Sequence, residues 1–380
     1  MALRRTGYAE LRLHGGYAPY WLVKRMVGLS KAIFEIIMDE YGIKEVLSRL
    51  SNPFFFQACS NTLGFDWDSS GSTTVTCAVL KRAFSDLKLG IESAGGKGKH
   101  SRKTLNEIET IGKRFDLSEE TIKCLKYASR MTAKVDSAAI QAGYQIYHHM
   151  IFVSEDGDWA VVQQGMNPFY SLARRYHWLS EELKSFVVEP HKAIVCERRH
   201  EKVLNMVDVE SEGCRKACKD LALESSSRLK RLFFGLAKEK EQTSLESWVH
   251  ESSDLRTQSL LEYSVIPSRI NWEALKRAYE IQPENFEELL AVKGIGPATV
   301  RGLALISDLI FGQPPSWKDP AKFSFAFGGK DGIPFPVDKE SMDKSIEILL
   351  NAIYEAKIGR REKLSAIKRL KVLLPNGKLD

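Results

Sequence analysis

Histidine side chains are concentrated in the first two hundred residues, which hold seven of the eight histidines of the chain. The adjacent pair His148–His149 falls within a stretch of strand-like alternation. Since successive side chains of a strand point to opposite faces, at least one of the two is expected to face a cleft or a polar interior. The neighbouring segment ends in Gln163-Gln164-Gly165 and is expected to lie beside the pair. The alternative is a set of structural histidines with satisfied hydrogen bonds.

These side chains would suit the cleavage of a phosphodiester bond if they converge. The catalytic candidates are His148, His149, Asp136, Gln164 and His177. Candidate ligands for a divalent metal such as Mg²⁺ or Mn²⁺ are Asp66, Asp68 and Asp136. Three cations, Arg174, Arg175 and Lys97, would stabilise the phosphate charge. No ligand spacing in the sequence is diagnostic of a metal site.

A basic, glycine-rich segment runs from Ala94 to Lys103 and is expected to form a loop. It lacks the G-x-x-x-x-G-K-[ST] pattern of a nucleotide-binding loop, so nucleotide hydrolysis is not expected. A flexible loop that contacts backbone phosphates through Lys97, Lys99 and Arg102 fits the sequence better.

The most specific motif is Val292-Lys293-Gly294-Ile295-Gly296, which lies between an acidic amphipathic helix and a second helix beginning at Pro297. Proline suits the first helical position because its missing N–H would be unpaired there. Gly294 and Gly296 would allow a tight turn, and Ile295 would point back between the helices. The pattern is typical of a helix-hairpin-helix; the alternative is an ordinary glycine-rich link between two core helices.

Such a hairpin would bind a phosphate of the nucleic-acid backbone. The turn and the following helix N-terminus present free N–H groups to an anion. The predicted DNA-binding residues of this motif are Lys293, Gly294, Ile295, Gly296, Thr299 and Arg301.

Charge is unevenly distributed along the 380 residues, whose net charge is +6. The segment 356–380 holds eight basic and two acidic residues, so the rest of the chain is close to neutral. A basic C-terminal helix beside the hairpin would extend one electrostatic surface. The alternative is a solvated surface helix.

The sequence predicts a soluble cytoplasmic protein. The first residues show no apolar signal-like region, and no apolar run has the length of a transmembrane helix. Six cysteines form no C-x-x-C pair, and reduced, buried thiols are expected.

The pattern of elements predicts a mixed α+β, mostly helical fold of two domains. Residues 1–212 would form an α+β catalytic domain with a small sheet or hairpin, in which 144–153 and 159–164 are paired strands. Residues 213–380 would form a helical DNA-binding domain.

Downstream of the hairpin, the segment Ile333-Pro-Phe-Pro-Val-Asp338 follows. With the hairpin, it resembles the helix-hairpin-helix DNA glycosylase superfamily over residues 255–350. The resemblance implies that Asp338 supports cleavage of a glycosidic bond. Ala298 stands where lyase members carry a catalytic lysine, so Schiff-base chemistry is not implied.

Nearly end to end, the sequence is similar to a prokaryotic family, domain of unknown function 763. The similarity is carried by Arg4-Arg-Thr-Gly, Leu13-His-Gly-Gly, Ala94-Gly-Gly-Lys-Gly, Tyr147-His-His, Gln163-Gln-Gly-Met-Asn, Arg174-Arg-Tyr-His-Trp and Gly328-Gly-Lys-Asp-Gly. It implies an archaeal or bacterial, thermophile-rich origin and leaves the activity open.

Three functions follow from these patterns. The favoured hypothesis is a DNA-repair nuclease whose C-terminal half holds the DNA backbone without reading sequence. The second is a monofunctional DNA glycosylase that uses Asp338 on a flipped base. The third is a non-enzymatic DNA-binding protein.

Overall fold

The computed structural model describes residues 20–64, 70–196, 199–235, 269–321 and 339–371. The helices are α1 (Tyr20–Ser51), α2 (Pro53–Leu63), α3 (Ser70–Leu87), α4 (Thr104–Arg114), α5 (Glu119–Lys134), α6 (Glu212–Ala222), α7 (Trp272–Ile281), α8 (Phe286–Ala291), α9 (Pro297–Phe311), α10 (Lys339–Glu355) and α11 (Arg360–Lys371). A further helical segment spans 226–235. The strands are β1 (Ile91–Lys97), β2 (Ile140–Gln141), β3 (Gln145–Ser154), β4 (Trp159–Asn167), β5 (Leu172–Leu179), β6 (Ala193–Cys196) and β7 (Leu204–Asn205). The predicted mixed α+β, mostly helical class is confirmed.

Side-chain capping accounts for several helix starts. Asn52, Ser118, Asn271 and Asn285 each accept hydrogen bonds from main-chain N–H groups of the first turn. These bonds satisfy donors that have no partner inside the helix. Within α1, Gly42 has a φ of 79° and introduces a kink between two apolar stretches.

A five-stranded antiparallel sheet in the order β1-β3-β4-β5-β6 forms the centre of the fold, and β2 pairs with β7 in a second, small sheet. The predicted pairing of 144–153 with 159–164 is confirmed by β3 and β4. The expected loop at 94–103 is wrong: this segment ends β1 and continues as a 3₁₀ helix, Gly98–Lys103. Glycine permits the strand there, because a Cβ at Gly95 would lie 2.2 Å from the carbonyl oxygen of His149.

Helices cover both faces of the large sheet. The face toward α1, α2 and α3 carries Met150 and Phe152 of β3 and is called the α1 face. The opposite face carries Ile151 and Val153, packs against α4 and α5, and is called the α5 face. Each apolar core also contains residues from beyond 212: α10 and α11 join the α1 face, and α6 to α9 join the core of the α5 face. The predicted boundary at 212/213 therefore does not separate these two cores.

The C-terminal helix lies away from the hairpin. Ala366, Ile367 and Leu370 of α11 belong to the core of the α1 face, whereas Ile295 of the hairpin belongs to the core of the α5 face. The predicted continuous basic surface from hairpin to C-terminus is therefore wrong. Among the described helices, none is long and apolar enough to cross a membrane.

Candidate functional site

The hairpin between α8 and α9 contains two glycines, and only Gly294 adopts a conformation that specifically favours glycine. Gly294 adopts a φ of 95°, in the left-handed region that favours glycine. Gly296 is extended, with φ −129° and ψ −174°, and serves as N-cap of α9 before Pro297. Ile295 is 1% exposed and fixes the turn against the core, as predicted.

Side chains from two other elements bind the carbonyl oxygens of the turn. The donors are Lys134 Nζ to Val292 O (3.2 Å) and to Ile295 O, Arg277 Nη2 to Lys293 O (2.7 Å), and Asn271 Nδ2 to Gly294 O (3.3 Å). Each of the four carbonyl groups from 292 to 295 thus accepts a hydrogen bond from a side chain.

Four main-chain N–H groups of the hairpin have no hydrogen-bond acceptor within the described residues. They belong to Gly294, Gly296, Ala298 and Thr299. Lys293 is exposed beside them. Unpaired N–H groups at the start of a fifteen-residue helix would suit an anion, because the helix dipole adds positive potential there.

Two predicted DNA-binding side chains have internal roles instead. Thr299 is 2% exposed, and its Oγ1 accepts from the N–H of Asn271 at 3.3 Å. Arg301 is half-buried, and its Nε donates to Gln141 Oε1 at 2.8 Å. Each of these two side chains thus ties the hairpin to a neighbouring element.

The strand register divides the predicted catalytic residues between the two sheet faces. His148, Gln164 and Arg175 lie directly opposite one another across β3, β4 and β5, so all three occupy the α1 face. His149 pairs with Gln163, and this row lies on the α5 face. The predicted convergence of all these side chains on one phosphodiester is therefore wrong.

On the α5 face, Asp136 is the centre of a buried hydrogen-bond network. It lies in a π-helical turn, Val135–Ala139, that continues α5. One carboxylate oxygen accepts from Trp178 Nε1 at 3.0 Å and from Gln163 Nε2, and the other accepts from His191 Nε2. Three donors hold this carboxylate in place, which is the arrangement that orients a catalytic histidine.

His149 joins the same network through Gln163. Its Nδ1 donates to Gln163 Oε1 at 2.8 Å, and its Nε2 accepts from the Ser129 hydroxyl at 2.9 Å. Burial lowers the pKa of His149, partly opposed by the Gln163 bond, so the ring is neutral. His149 thus supports Asp136 indirectly.

His191 connects the network to a cleft of about 170 Å³. The other lining residues come from two segments, 189–208 and 318–321: Glu189, Ile194, Arg199, Asn205, Val207, Asp208, Lys318, Asp319, Pro320 and Ala321. With Nε2 donating to Asp136, Nδ1 of the neutral ring carries the lone pair. A histidine in this state can take a proton from water, because the carboxylate stabilises the imidazolium that forms.

The cleft has little net positive charge. The cations Arg199 and Lys318 are balanced by Glu189 and Asp208. Asp319 is neutralised by a buried ion pair with Arg174. Binding of a phosphate chain would therefore depend on the hairpin rather than on the cleft.

The small β2–β7 sheet connects the cleft to the hairpin. Gln141 of β2 donates from Nε2 to the carbonyl oxygen of Pro297 at 2.9 Å. Its neighbour Ile140 pairs with Asn205 of β7, which lines the cleft. The connection from the cleft to the hairpin thus runs through β7 and β2.

On the α1 face, the predicted catalytic histidines are fully buried. Burial, with the nearby His149 and Lys97, lowers the pKa of His148 to about 3, and neither ring nitrogen has a hydrogen-bond partner. Burial also lowers the pKa of His177 well below its usual range. Gln164 bonds to the Ser70 carbonyl and to Tyr147. These residues do not reach the cleft.

The two predicted phosphate-binding arginines are 0% exposed. Arg174 Nη2 binds Asp319 at 2.6 Å on the α5 face, and Arg175 Nη1 bonds to Gln57 and Thr73 on the α1 face. Their prediction as surface DNA contacts is wrong, because alternation in β5 directs both side chains into the interior. The other predicted basic contacts, Lys97, Lys99 and Arg102, are exposed.

Two of the three metal candidates, Asp66 and Asp68, lie outside the described residues, as does the predicted catalytic residue Asp338. Both carboxylate oxygens of Asp136 already accept hydrogen bonds from protein donors. Within the described ranges, three metal-ligating side chains do not come together at any point. The described residues therefore give Asp136 an orienting role rather than a ligand role.

Sequence reasoning missed His191, Lys134 and Arg277 as site residues. Pro190-His191 belongs to no periodic element, and its partner Asp136 is 55 residues away in sequence. The left-handed φ of 40° at Glu189 marks a special backbone position, but a sequence alone does not reveal it.

The sequence profile of the family described as "Protein of unknown function (DUF763)" matches residues 7–337. No curated protein and no solved structure matches the chain. The matched range includes the large sheet, the cleft and the hairpin.

Proposed function

We propose that this chain, a member of the DUF763 family whose matched range includes the cleft and the hairpin, is a DNA-binding hydrolase that cleaves phosphodiester bonds. The observation that carries the proposal is the position of the Asp136–His191 pair, at a cleft connected through β7 and β2 to a hairpin with four unpaired N–H groups. One feature suits the binding of a phosphate backbone and the other suits the activation of water.

In this scheme the hairpin binds one phosphate through the N–H groups of Gly294, Gly296, Ala298 and Thr299. Backbone contacts of this kind fix the position of the DNA without reading its sequence. A neighbouring phosphodiester then lies at the cleft. His191 Nδ1 takes a proton from the attacking water as the water oxygen bonds to phosphorus, and Asp136 stabilises the resulting imidazolium. One P–O ester bond breaks, and the imidazolium returns the proton to the leaving oxygen. Lys293 adds a screened, salt-dependent attraction to the backbone.

The test is a cleavage assay with end-labelled duplex, gapped and single-stranded DNA. Each DNA is incubated with Mg²⁺, with Mn²⁺ or with chelator. We expect His191→Gln to lower cleavage by about a hundredfold or more, with DNA affinity unchanged. His100→Gln, which changes an exposed histidine on the 3₁₀ helix, is the matched control. Equal cleavage by wild type and His191→Gln would place the active site elsewhere.

A monofunctional DNA glycosylase is the alternative, and its support is the segment Pro336-Val337-Asp338 after the hairpin. It predicts abasic sites, insensitive to chelator, in place of strand breaks. DNA binding without any product would favour the non-enzymatic function.

A further inference from the structure

We propose that the turn between β4 and β5 stacks an unpaired base of the DNA, so that the substrate carries unpaired nucleotides beside the scissile bond. This inference rests on the proposed DNA-binding function. Its basis is an exposed aromatic pair, Phe169 and Tyr170, with 85% and 41% of their surfaces accessible. Among the large hydrophobic side chains of the described residues, Phe169 has the highest exposed fraction.

The turn holds the pair in a fixed geometry. Asn167 Oδ1 accepts from the N–H of Phe169 at 3.0 Å and from that of Tyr170 at 3.3 Å. Ser171 closes the turn with a φ of 55°. The two ring centroids are 4.8 Å apart and the rings are perpendicular, so the face of one ring is supported by the edge of the other. A pre-ordered ring loses little conformational entropy on stacking.

A line of ring contacts connects this turn to the cleft. The Tyr170 ring lies 5.5 Å from that of His200, which lies 5.6 Å from that of Tyr144. The N–H of His200 donates to Asp319 Oδ2 at 2.8 Å, and Asp319 lines the cleft. The aromatic turn is therefore at the rim of the candidate active site.

The same end of the sheet connects to the hairpin. Gln141, which bonds to Pro297 of the hairpin, precedes Tyr144 by three residues, a reach of at most about 11 Å. DNA bound at the hairpin and entering the cleft would thus have its bases near Phe169. Stacking is insensitive to base identity because every base has a π face, which agrees with backbone-directed binding.

An unpaired base fits this turn better than a base within a duplex. In a duplex the base faces are covered by their neighbours, and a ring pair on a turn cannot reach them without unstacking. The patch is also much smaller than a stable protein interface, which buries about 800 Å² on each partner. The geometry therefore favours overhangs, gaps or flaps as substrates.

The test compares the binding of a blunt duplex with that of the same duplex carrying a single-stranded overhang. We expect Phe169→Leu to weaken overhang binding by about tenfold and to leave blunt-duplex binding unchanged. Phe169→Trp should retain overhang binding because it keeps a ring. Phe311→Leu is the matched control, since Phe311 is also exposed but lies at the far end of α9.

Two results for Phe169→Leu would overturn the stacking role: binding of both DNAs like the wild type, or an equal loss of affinity for both. Neither result would contradict the proposed function. A folded wild type that binds neither DNA would overturn the proposed function itself, and with it this inference.

Discussion

Lys134, the last residue of α5, donates from its ammonium group to the main-chain carbonyl oxygen of Ile295, 161 residues later in the chain. It also donates to Val292 O at 3.2 Å. Burial lowers the pKa of Lys134, which shows that the group is partly desolvated. The helix that leads into the Asp136 turn thus also holds the hairpin, so one element positions both candidate functional features.

Lys134→Met should loosen the hairpin. We expect a loss of about 1–3 kcal/mol in the free energy of unfolding, because Ile295 O loses its side-chain donor and Val292 O keeps only the N–H of Ile295. DNA affinity should fall as well. Urea denaturation and DNA titration measure the two effects. Lys123→Met, an exposed site on the same helix, is the control. Unchanged stability and affinity would show that Lys134 does not hold the turn.

Substitution of the two hairpin glycines by alanine should have different effects on stability and on DNA binding. Gly294→Ala should lower stability by about 1–2 kcal/mol, since its φ is positive and the new Cβ would lie 3.0 Å from that of Ala274. A Cβ at Gly296 would lie 4.0 Å from Gly294 O, an ordinary contact, and the φ is extended, so the stability of Gly296→Ala should match the wild type.

Gly296→Ala should nevertheless weaken DNA binding by about tenfold, because the methyl group stands where the backbone approaches a phosphate. The loss should be similar for all sequences, and wild-type affinity should fall steeply with salt. Gly28→Ala on α1, which meets open space, is the control. Affinity equal to wild type in folded Gly296→Ala would contradict the phosphate-binding hairpin.

Asp136→Asn should lower cleavage by about a hundredfold or more while the chain still folds. The amide removes the negative charge that stabilises the His191 imidazolium. Steady-state cleavage and a melting curve are measured together. His148→Gln is the matched buried control, because His148 lies on the α1 face, away from the cleft. Full activity in Asp136→Asn would contradict the role of Asp136. Loss of activity in His148→Gln alone would place the active site on the α1 face.

The stability of the protein should fall as the pH drops below about 6.5. Burial lowers the pKa of His148 to about 3 and that of His177 well below its usual range, whereas the unfolded chain binds protons at the ordinary value. Between these pH values only the unfolded state is protonated, so each such histidine costs about 1.4 kcal/mol per pH unit.

Urea denaturation between pH 7.5 and pH 4.5, roughly the range in which an ordinary histidine titrates, measures this slope. His148→Gln should reduce it by about one proton. His100→Gln on the exposed 3₁₀ helix is the control. An identical slope in His148→Gln and wild type would show that His148 is protonated in the folded state.

Asp338→Asn distinguishes the two enzymatic functions. In a glycosylase this change removes the carboxylate that stabilises the developing sugar cation, a loss of roughly 3–4 kcal/mol or about a hundredfold in rate. In a nuclease that uses His191, Asp338 takes no part in the chemistry, so cleavage should survive the change. Abolished product with an unchanged melting curve would overturn the nuclease proposal.

The sequence alone determined the features that depend on neighbouring residues. Gly294 and Pro297 specify a turn and a helix start through their own backbone preferences, so the hairpin was predictable. The pairing of β3 with β4 followed from alternation and a short connection. Alternation likewise places His148 and His149 on opposite faces.

Only the tertiary structure determined the contacts between segments that are distant in the sequence. The Asp136–His191 pair, the Lys134 contact with Ile295 and the burial of Arg174 against Asp319 each need a loop of many residues to close. Local propensity carries no information about such contacts; which segments meet depends on how two apolar cores pack on either side of one sheet. For the same reason, the sequence predicted the turn before Pro297, whereas only the fold shows that His191 lines the cleft.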